Sequence, residues 1–286
     1  MAAMMLLAAT SCSNESEVTV GNAQTEETVV PVKVHVGDFR AQTRTEQDVA
    51  DYSGVKAVTL AFYRGSSEVL KITQLRTDAS TYTSFGEFEC ALPMGSYTMV
   101  VLAYGKDADD ELVLTSPTEA EYIGAHARET FAATQTVNIN NAAAVNISAT
   151  LDRIVSKLSV YSSDGRADQA TSIRMSFSAG GKAFSPTTGL AISNTGFANT
   201  LGISTAVGQT TGSSTYLFLA SDEQKIDVTI ETLDSDGKTL ISKTIKNVPF
   251  KRNRLTKLTG SMYSNDALSG TFKVNTDWLP DYIASF

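Results

Sequence analysis

The sequence predicts an all-β sandwich protein, and three observations carry that expectation. Short runs rich in β-branched and aromatic residues recur along the 286-residue chain with apolar side chains at every second position, the period that lines one face of a strand. Turn-forming clusters such as Pro93-Met94-Gly95-Ser96 and Asp234-Ser235-Asp236-Gly237 stand between such runs. No stretch sustains the 3.6-residue apolar period of an amphipathic helix. A hydrophobic share of 42% with 19% charged residues fits core-forming domains rather than a disordered chain, and the length suffices for two of them.

In chain order, Met4 to Ala9 is an apolar run too short to span a bilayer, and it ends in Ala9-Thr10-Ser11 before Cys12. Residues 1–11 resemble a bacterial lipoprotein signal peptide, in which Cys12 becomes the lipidated N-terminus. Residues 12–28 are polar and read as a tether, and their Ser13-Asn14-Glu15-Ser16-Glu17 resembles the acidic tract of some surface lipoproteins. Val30, Val32, Val34 and Val36 then alternate with other residues, which predicts a half-buried strand. Arg40 and Arg44 follow in a polar run without periodicity, where a trypsin-like protease could cut. A strand cut away from its own sheet would leave an apolar groove and unpaired backbone groups for another chain's strand to fill.

Further strands are predicted at Val55 to Tyr63, with Val58, Leu60 and Phe62 on one face, and at Glu68 to Leu75, Gly86 to Leu92 and Tyr97 to Tyr104. Ala103 to Glu111 reads as an acidic loop, and Thr134 to Ile139 and Ala144 to Leu151 as two closing strands. The second half repeats the pattern at Ile154 to Ser162, Ser172 to Phe177, Thr215 to Ala220, Lys225 to Leu233, Lys238 to Val248, Leu255 to Tyr263 and Gly270 to Trp278. The Gly/Ser/Thr-rich stretch from Ala179 to Ser214 is expected to be mainly loops and short strands. Leu279 to Phe286 forms a short apolar tail.

Charge and side-chain inventory narrow the function. A net charge of -8 without a long basic run argues against nucleic acid. Cys12 and Cys90 supply neither a disulfide framework nor a cysteine metal site, and His35 and His126 lie in no nucleophile or ligand pattern, so neither an enzyme nor a cofactor is expected. Glu87 and Glu89 share one strand face and could form a glycosidase pair, but a solvated face is the simpler reading. Asp107, Asp109, Asp110 and Glu111 lack the Gly and distal Glu of a known calcium loop, and Asp234 to Gly237 is explained as a hairpin turn. Gly180-Gly181-Lys182 is a turn rather than a phosphate loop. Lys251-Arg252-Asn253-Arg254 reads as the solvated start of a strand paired with acidic neighbours, with an adhesive patch as the alternative. Cys90 reads as an inert core thiol, and Trp278 as packing or interface.

The order of these parts resembles the fimbrillin family of type V pilus subunits. What carries the resemblance is the lipoprotein signal, tether, valine strand, Arg44, polar spacer and VKAVTLAFY (Val55 to Tyr63), then NVPFKRNRLTKLTGSMY (Asn247 to Tyr263), FKVNTDW (Phe272 to Trp278) and the terminal tail. The resemblance implies two tandem transthyretin-like Greek-key β-sandwich domains, residues 29–150 and 151–286. It further implies a lipoprotein precursor at the outer membrane and cell surface, cleaved after Arg44 (alternatively Arg40) by an arginine-specific surface protease. The strand bearing Val30, Val32, Val34 and Val36 would then be replaced by a strand of another fimbrial subunit through β-augmentation. Phe272, Val274, Trp278, Ile283 and Phe286 are the candidate donor residues. An uncleaved anchor or tip adhesin, or a surface lipoprotein that binds a host glycan or protein ligand, remains the alternative.

Overall fold

A computed structural model of the protein describes residues 28–39, 48–108, 111–124, 126–264 and 273–278. Cys12, Arg40, Arg44, Phe272, Ile283 and Phe286 lie outside the described residues. Among those described, the chain is all-β, its one helical element being the three-residue 3-10 turn Ala79–Thr81.

The first half contributes β1 (Val29–Phe39), β2 (Ala57–Arg64), β3 (Ser67–Leu75), β4 (Glu87–Pro93), β5 (Gly95–Tyr104), β6 (Glu111–Ser116), β7 (Glu119–Ile123), β8 (Thr130–Ile139) and β9 (Val145–Arg153). The second contributes β10 (Ser156–Ser162), β11 (Ser172–Phe177), β12 (Ala183–Ser185), β13 (Leu190–Ala191), β14 (Phe197–Gly202), β15 (Gly212–Leu217), β16 (Glu223–Leu233), β17 (Thr239–Lys251), β18 (Arg254–Gly260) and β19 (Lys273–Trp278). In the first half the strand order is β3-β2-β5-β8-β9-β1-β4, with β8 and β9 joined only through Phe131↔Arg153 and Ala132↔Asp152. Around that corner β4-β1-β9 folds over β3-β2-β5-β8, so the valines of β1 share one core with Val58, Leu60, Phe62, Met99 and Val101.

The second half carries the same pairing scheme. There β10 lies between an antiparallel β15 and a parallel β18, as β1 lies between an antiparallel β4 and a parallel β9. The order β14-β11-β16-β17 likewise matches β3-β2-β5-β8, all antiparallel. Each half inserts a hairpin into this shared order: β6–β7 between β5 and β8, and β12–β13 between β11 and β14. The two insertions pair with each other through Ala183↔Glu121 and Phe184↔Ala120.

This joint sheet covers the outer face of β2 and β5. A second core forms there from both halves, with Phe184 stacked on Phe218 at 4.1 Å and buried Tyr63, Leu102, Tyr122 and Ile154 around it. Consequently β2 is buried on both faces, not on the one face expected from its pattern, because Ala57, Ala61 and Tyr63 meet this added layer. The acidic loop expected over Ala103 to Glu111 is bounded by β5, which ends at Tyr104, and β6, which starts at Glu111, and the stretch between Glu111 and Thr134, for which no strand is expected, holds β6, β7 and the start of β8. Lys251 to Arg254 is also corrected: it is the tight turn from β17 to β18, with Asn253 at φ 58.

Candidate functional site

The alternation in β1 is realised fully. Val30, Val32, Val34 and Val36 are 0–1% exposed, while Pro31, Lys33 and His35 face outward. On that outer face Lys33 pairs with Glu89 at 2.7 Å, and the His35 ring nitrogen meets the Glu87 carboxylate. Glu87 and Glu89 are thus partners of His35 and Lys33 across the β1–β4 ladder. Cys90 lies opposite Val32, half-buried, and burial pushes its thiol up to about 11, which suppresses the reactive thiolate.

β1 is a central strand, hydrogen-bonded to β4 along Val29–His35 and to β9 along Val32–Phe39, with an irregularity between Val36 and Phe39. Removing it would therefore leave two facing backbone edges, not one, together with an apolar trough. At its C-terminal end Phe39 packs on Phe131 at 4.2 Å and on the edge of Tyr52 at 5.6 Å. Gly86 makes the crossing near Val36 feasible. Its φ is +94°, and a Cβ there would sit 2.5 Å from Val49 and 3.0 Å from the Val36 carbonyl.

From Asp48 onward the described chain is held by the sandwich. Val49 is buried and donates its backbone N–H to Gly37. Arg76 grips the following turn, its guanidinium donating to the carbonyls of Val55 (2.7 Å), Ala50 (2.9 Å), Val49 (2.9 Å) and Tyr52 (3.1 Å) while stacking on Phe85. Sequence reasoning missed Arg76, since a lone arginine after a strand carries no local signal of four carbonyl partners.

A polar chain connects the halves. The Tyr52 hydroxyl donates to Glu129 (2.5 Å), Glu129 pairs with Arg153 (2.9 Å), and Arg153 donates to Asn253 (2.9 Å) while lying over Phe131. Burial, then the Glu129 carboxylate, raises the Tyr52 phenol well above its ordinary value. Beside this chain opens a cleft of about 1060 Å³ between β8, β9 and the loops around Thr187, Asp222 and Arg252. On its rim Lys251 pairs with Glu223, and Arg252 with Asp222 at 2.7 Å, so the basic cluster is matched by acids. Asp107 pairs with Arg128 at 2.6 Å, and Asp234 accepts the N–H groups of Asp236 and Lys238 as a hairpin residue. Asp109 and Asp110 lie outside the described residues. Val274 and Trp278 belong to β19, which runs antiparallel to β18 from Thr259↔Lys273 to Arg254↔Trp278.

Fold and site together define an all-β protein of duplicated strand order with a buried, central first strand. The chain belongs to a family of unknown function, DUF6562, whose model matches residues 21–283. No curated protein sequence matches it. Among solved structures it is similar in fold to the fimbrial anchor protein Mfa2 of Porphyromonas gingivalis (TM-score 0.52, 11% identity, covering 86% of this chain and 95% of that one). A similar likeness links it to a candidate polysaccharide-binding protein (DUF1812) of Bacteroides thetaiotaomicron (TM-score 0.52, 12% identity, 88% and 99% covered). A third is a candidate adhesin of Bacteroides ovatus (TM-score 0.51, 12% identity, 84% and 88% covered).

Proposed function

We propose that the protein is a non-enzymatic, fimbria-associated component of the cell surface, exported as an outer-membrane lipoprotein acylated at Cys12 and built into an assembly by β-strand exchange. Its two halves act as tandem transthyretin-like sandwiches, a reading supported by their common strand order, with the junction between β9 and β10 at Ile154–Val155 rather than at 150/151, which falls inside β9. The observation that carries the proposal is the placement of β1: central, with all four valines buried, and followed directly by the segment containing Arg40 and Arg44. Cleavage at Arg44 frees that strand, and the C-terminal residues Phe272, Val274, Trp278, Ile283 and Phe286 of a neighbouring subunit supply its replacement.

Digestion of the purified protein with an arginine-specific protease, N-terminal sequencing and a non-denaturing gel test this. Exposure of Thr45 followed by higher-order species that need the C-terminal tail is the expected result; a cut product that stays monomeric counts against it. For the lipid anchor, Cys12→Ala should abolish labelling by a fatty-acid analogue, and equal labelling of both forms would remove it from the proposal.

A second reading, an anchor that keeps β1, is favoured by the strong fixing of both flanks, Phe39 against Phe131 and Val49 beside the Arg76 clamp. Resistance of the folded chain to the same protease distinguishes it. A glycan-binding role draws less support, because the cleft between the halves is walled by Ser, Thr and paired charges without an aromatic platform among its described lining residues.

A further inference from the structure

The two halves differ at one edge. In the second half the edge of β18 turned away from β10 is covered by β19 along Arg254 to Thr259. The counterpart of β18 in the first half is β9, and among the described residues its matching edge is paired only at Asp152 and Arg153. Among the described residues, that edge pairs with no strand from Val145 to Leu151, and the edge of β8 turned away from β5 pairs with none from Ala133 to Ile139.

The slit between β8 and β9 opens onto the first core, since Ala133, Val145 and Ile147 pack against it only partly buried. On the opposite side of the same sandwich β3 and β4 form no ladder among the described residues, but a side chain bridges them beside a pocket of about 500 Å³. There the buried Gln74 side chain donates to the Glu87 carbonyl (2.6 Å) and accepts from the Gly86 N–H (2.8 Å), tying β3 to β4. Beyond the slit lies the 1060 Å³ cleft, with Ser148 and Thr150 on its wall.

We propose that the open edge of β9 accepts β19 of a second copy of this chain as an antiparallel strand, with β1 still in place. The occupant follows from the duplication, because β19 already pairs antiparallel with the equivalent edge in its own half. Its sequence suits the site: Lys273-Val274-Asn275-Thr276-Asp277-Trp278 alternates charged or amide residues with Val, Thr and Trp, as Val145-Asn146-Ile147-Ser148-Ala149-Thr150 alternates apolar with polar. β19 is also terminal in its sheet, so pairing it with β9 of the next copy joins two different surfaces and propagates head to tail. The proposal rests on the assembly reading above for its choice of a second copy, but it requires no cleavage.

The test is disulfide trapping between full-length copies carrying Cys12→Ala, Arg40→Ala and Arg44→Ala, which keeps β1 attached and removes a competing thiol. One copy carries Ser148→Cys or Thr150→Cys on β9, the other Asn275→Cys on β19. Residues directly opposite on paired strands approach within disulfide reach. The expected result is a mixed dimer from at least one of these pairs, with no mixed dimer when the cysteine is placed at Lys33 on the outer face of β1. Failure of both β9 positions to cross-link overturns the proposal, as does cross-linking at Lys33 to the same extent. If the cleavable parent nevertheless forms oligomers after protease treatment, replacement of β1 stands while addition at β9 falls; if neither occurs, both fall.

Discussion

At the scale of single residues, two side chains hold segments that neither pattern nor composition marks. Arg76 satisfies four backbone carbonyls of residues 49–55, and its planar fork is what allows this; a lysine ammonium cannot reproduce the geometry. Arg76→Lys should therefore cost about 2 kcal/mol in urea denaturation and increase proteolysis between residues 40 and 55. Asp164 plays the matching part in the second half, accepting from the Ser261 hydroxyl (2.6 Å) and the N–H groups of Met262 (2.8 Å) and Tyr263 (2.9 Å) where the chain leaves β18. Burial alone would raise its carboxyl, but these hydrogen bonds outweigh burial and hold it below the usual carboxylate range.

With a depressed folded-state pKa, the stabilisation from Asp164 is present above the unfolded value, about 3.9, and is lost as pH falls through the lower folded value. Asp164→Asn should cost about 1–2 kcal/mol at pH 7, with the gap to the parent protein closing below about pH 4. Denaturation curves at pH 7 and pH 3 measure it, and a gap unchanged between them would contradict this role.

At the scale of elements, β1 was the most legible part of the chain. Four β-branched residues at period two can be buried only by a strand with one apolar face, and that face proved fully buried. Val34→Thr keeps shape and strand preference but places a hydroxyl in the core, so it should cost about 1–3 kcal/mol, whereas Lys33→Thr on the outer face should change stability by about 0.5 kcal/mol or less. Equal effects, measured by thermal unfolding, would mean that β1 is not anchored through its valines.

The hairpin β6–β7 was illegible for a physical reason. Glu111, Glu119 and Glu121 make its two short strands too polar to stand out, while Leu114, Ala120 and Tyr122 are buried in the core that β12 of the other half helps to close. Short strands stabilised by distant pairing carry little local signal.

At the scale of the whole molecule, the all-β class was readable from alternation and turns, but the duplicated strand order was not, since parallel pairing of β1 with β9 and of β10 with β18 joins residues more than a hundred and nearly a hundred positions apart. The candidate site divides in the same way. The valines and the polar run behind them stand in the sequence, whereas the flanking clamp, the Arg153–Asn253 hydrogen bond between the halves and the open β9 edge exist only in the folded chain.

That architecture gives the removal of β1 a definite consequence. Burial of its four valines contributes at most about 6 kcal/mol, comparable to the whole stability of many domains. The most direct measurement is amide hydrogen exchange before and after arginine-specific cleavage and removal of the released N-terminal fragment. Protection should fall across Glu87–Pro93 and Val145–Leu151, the two strands that flank β1, and return when a peptide of residues 29–39 or of the C-terminal segment is added; unchanged protection in both strands after β1 has gone would contradict a refillable first-strand groove.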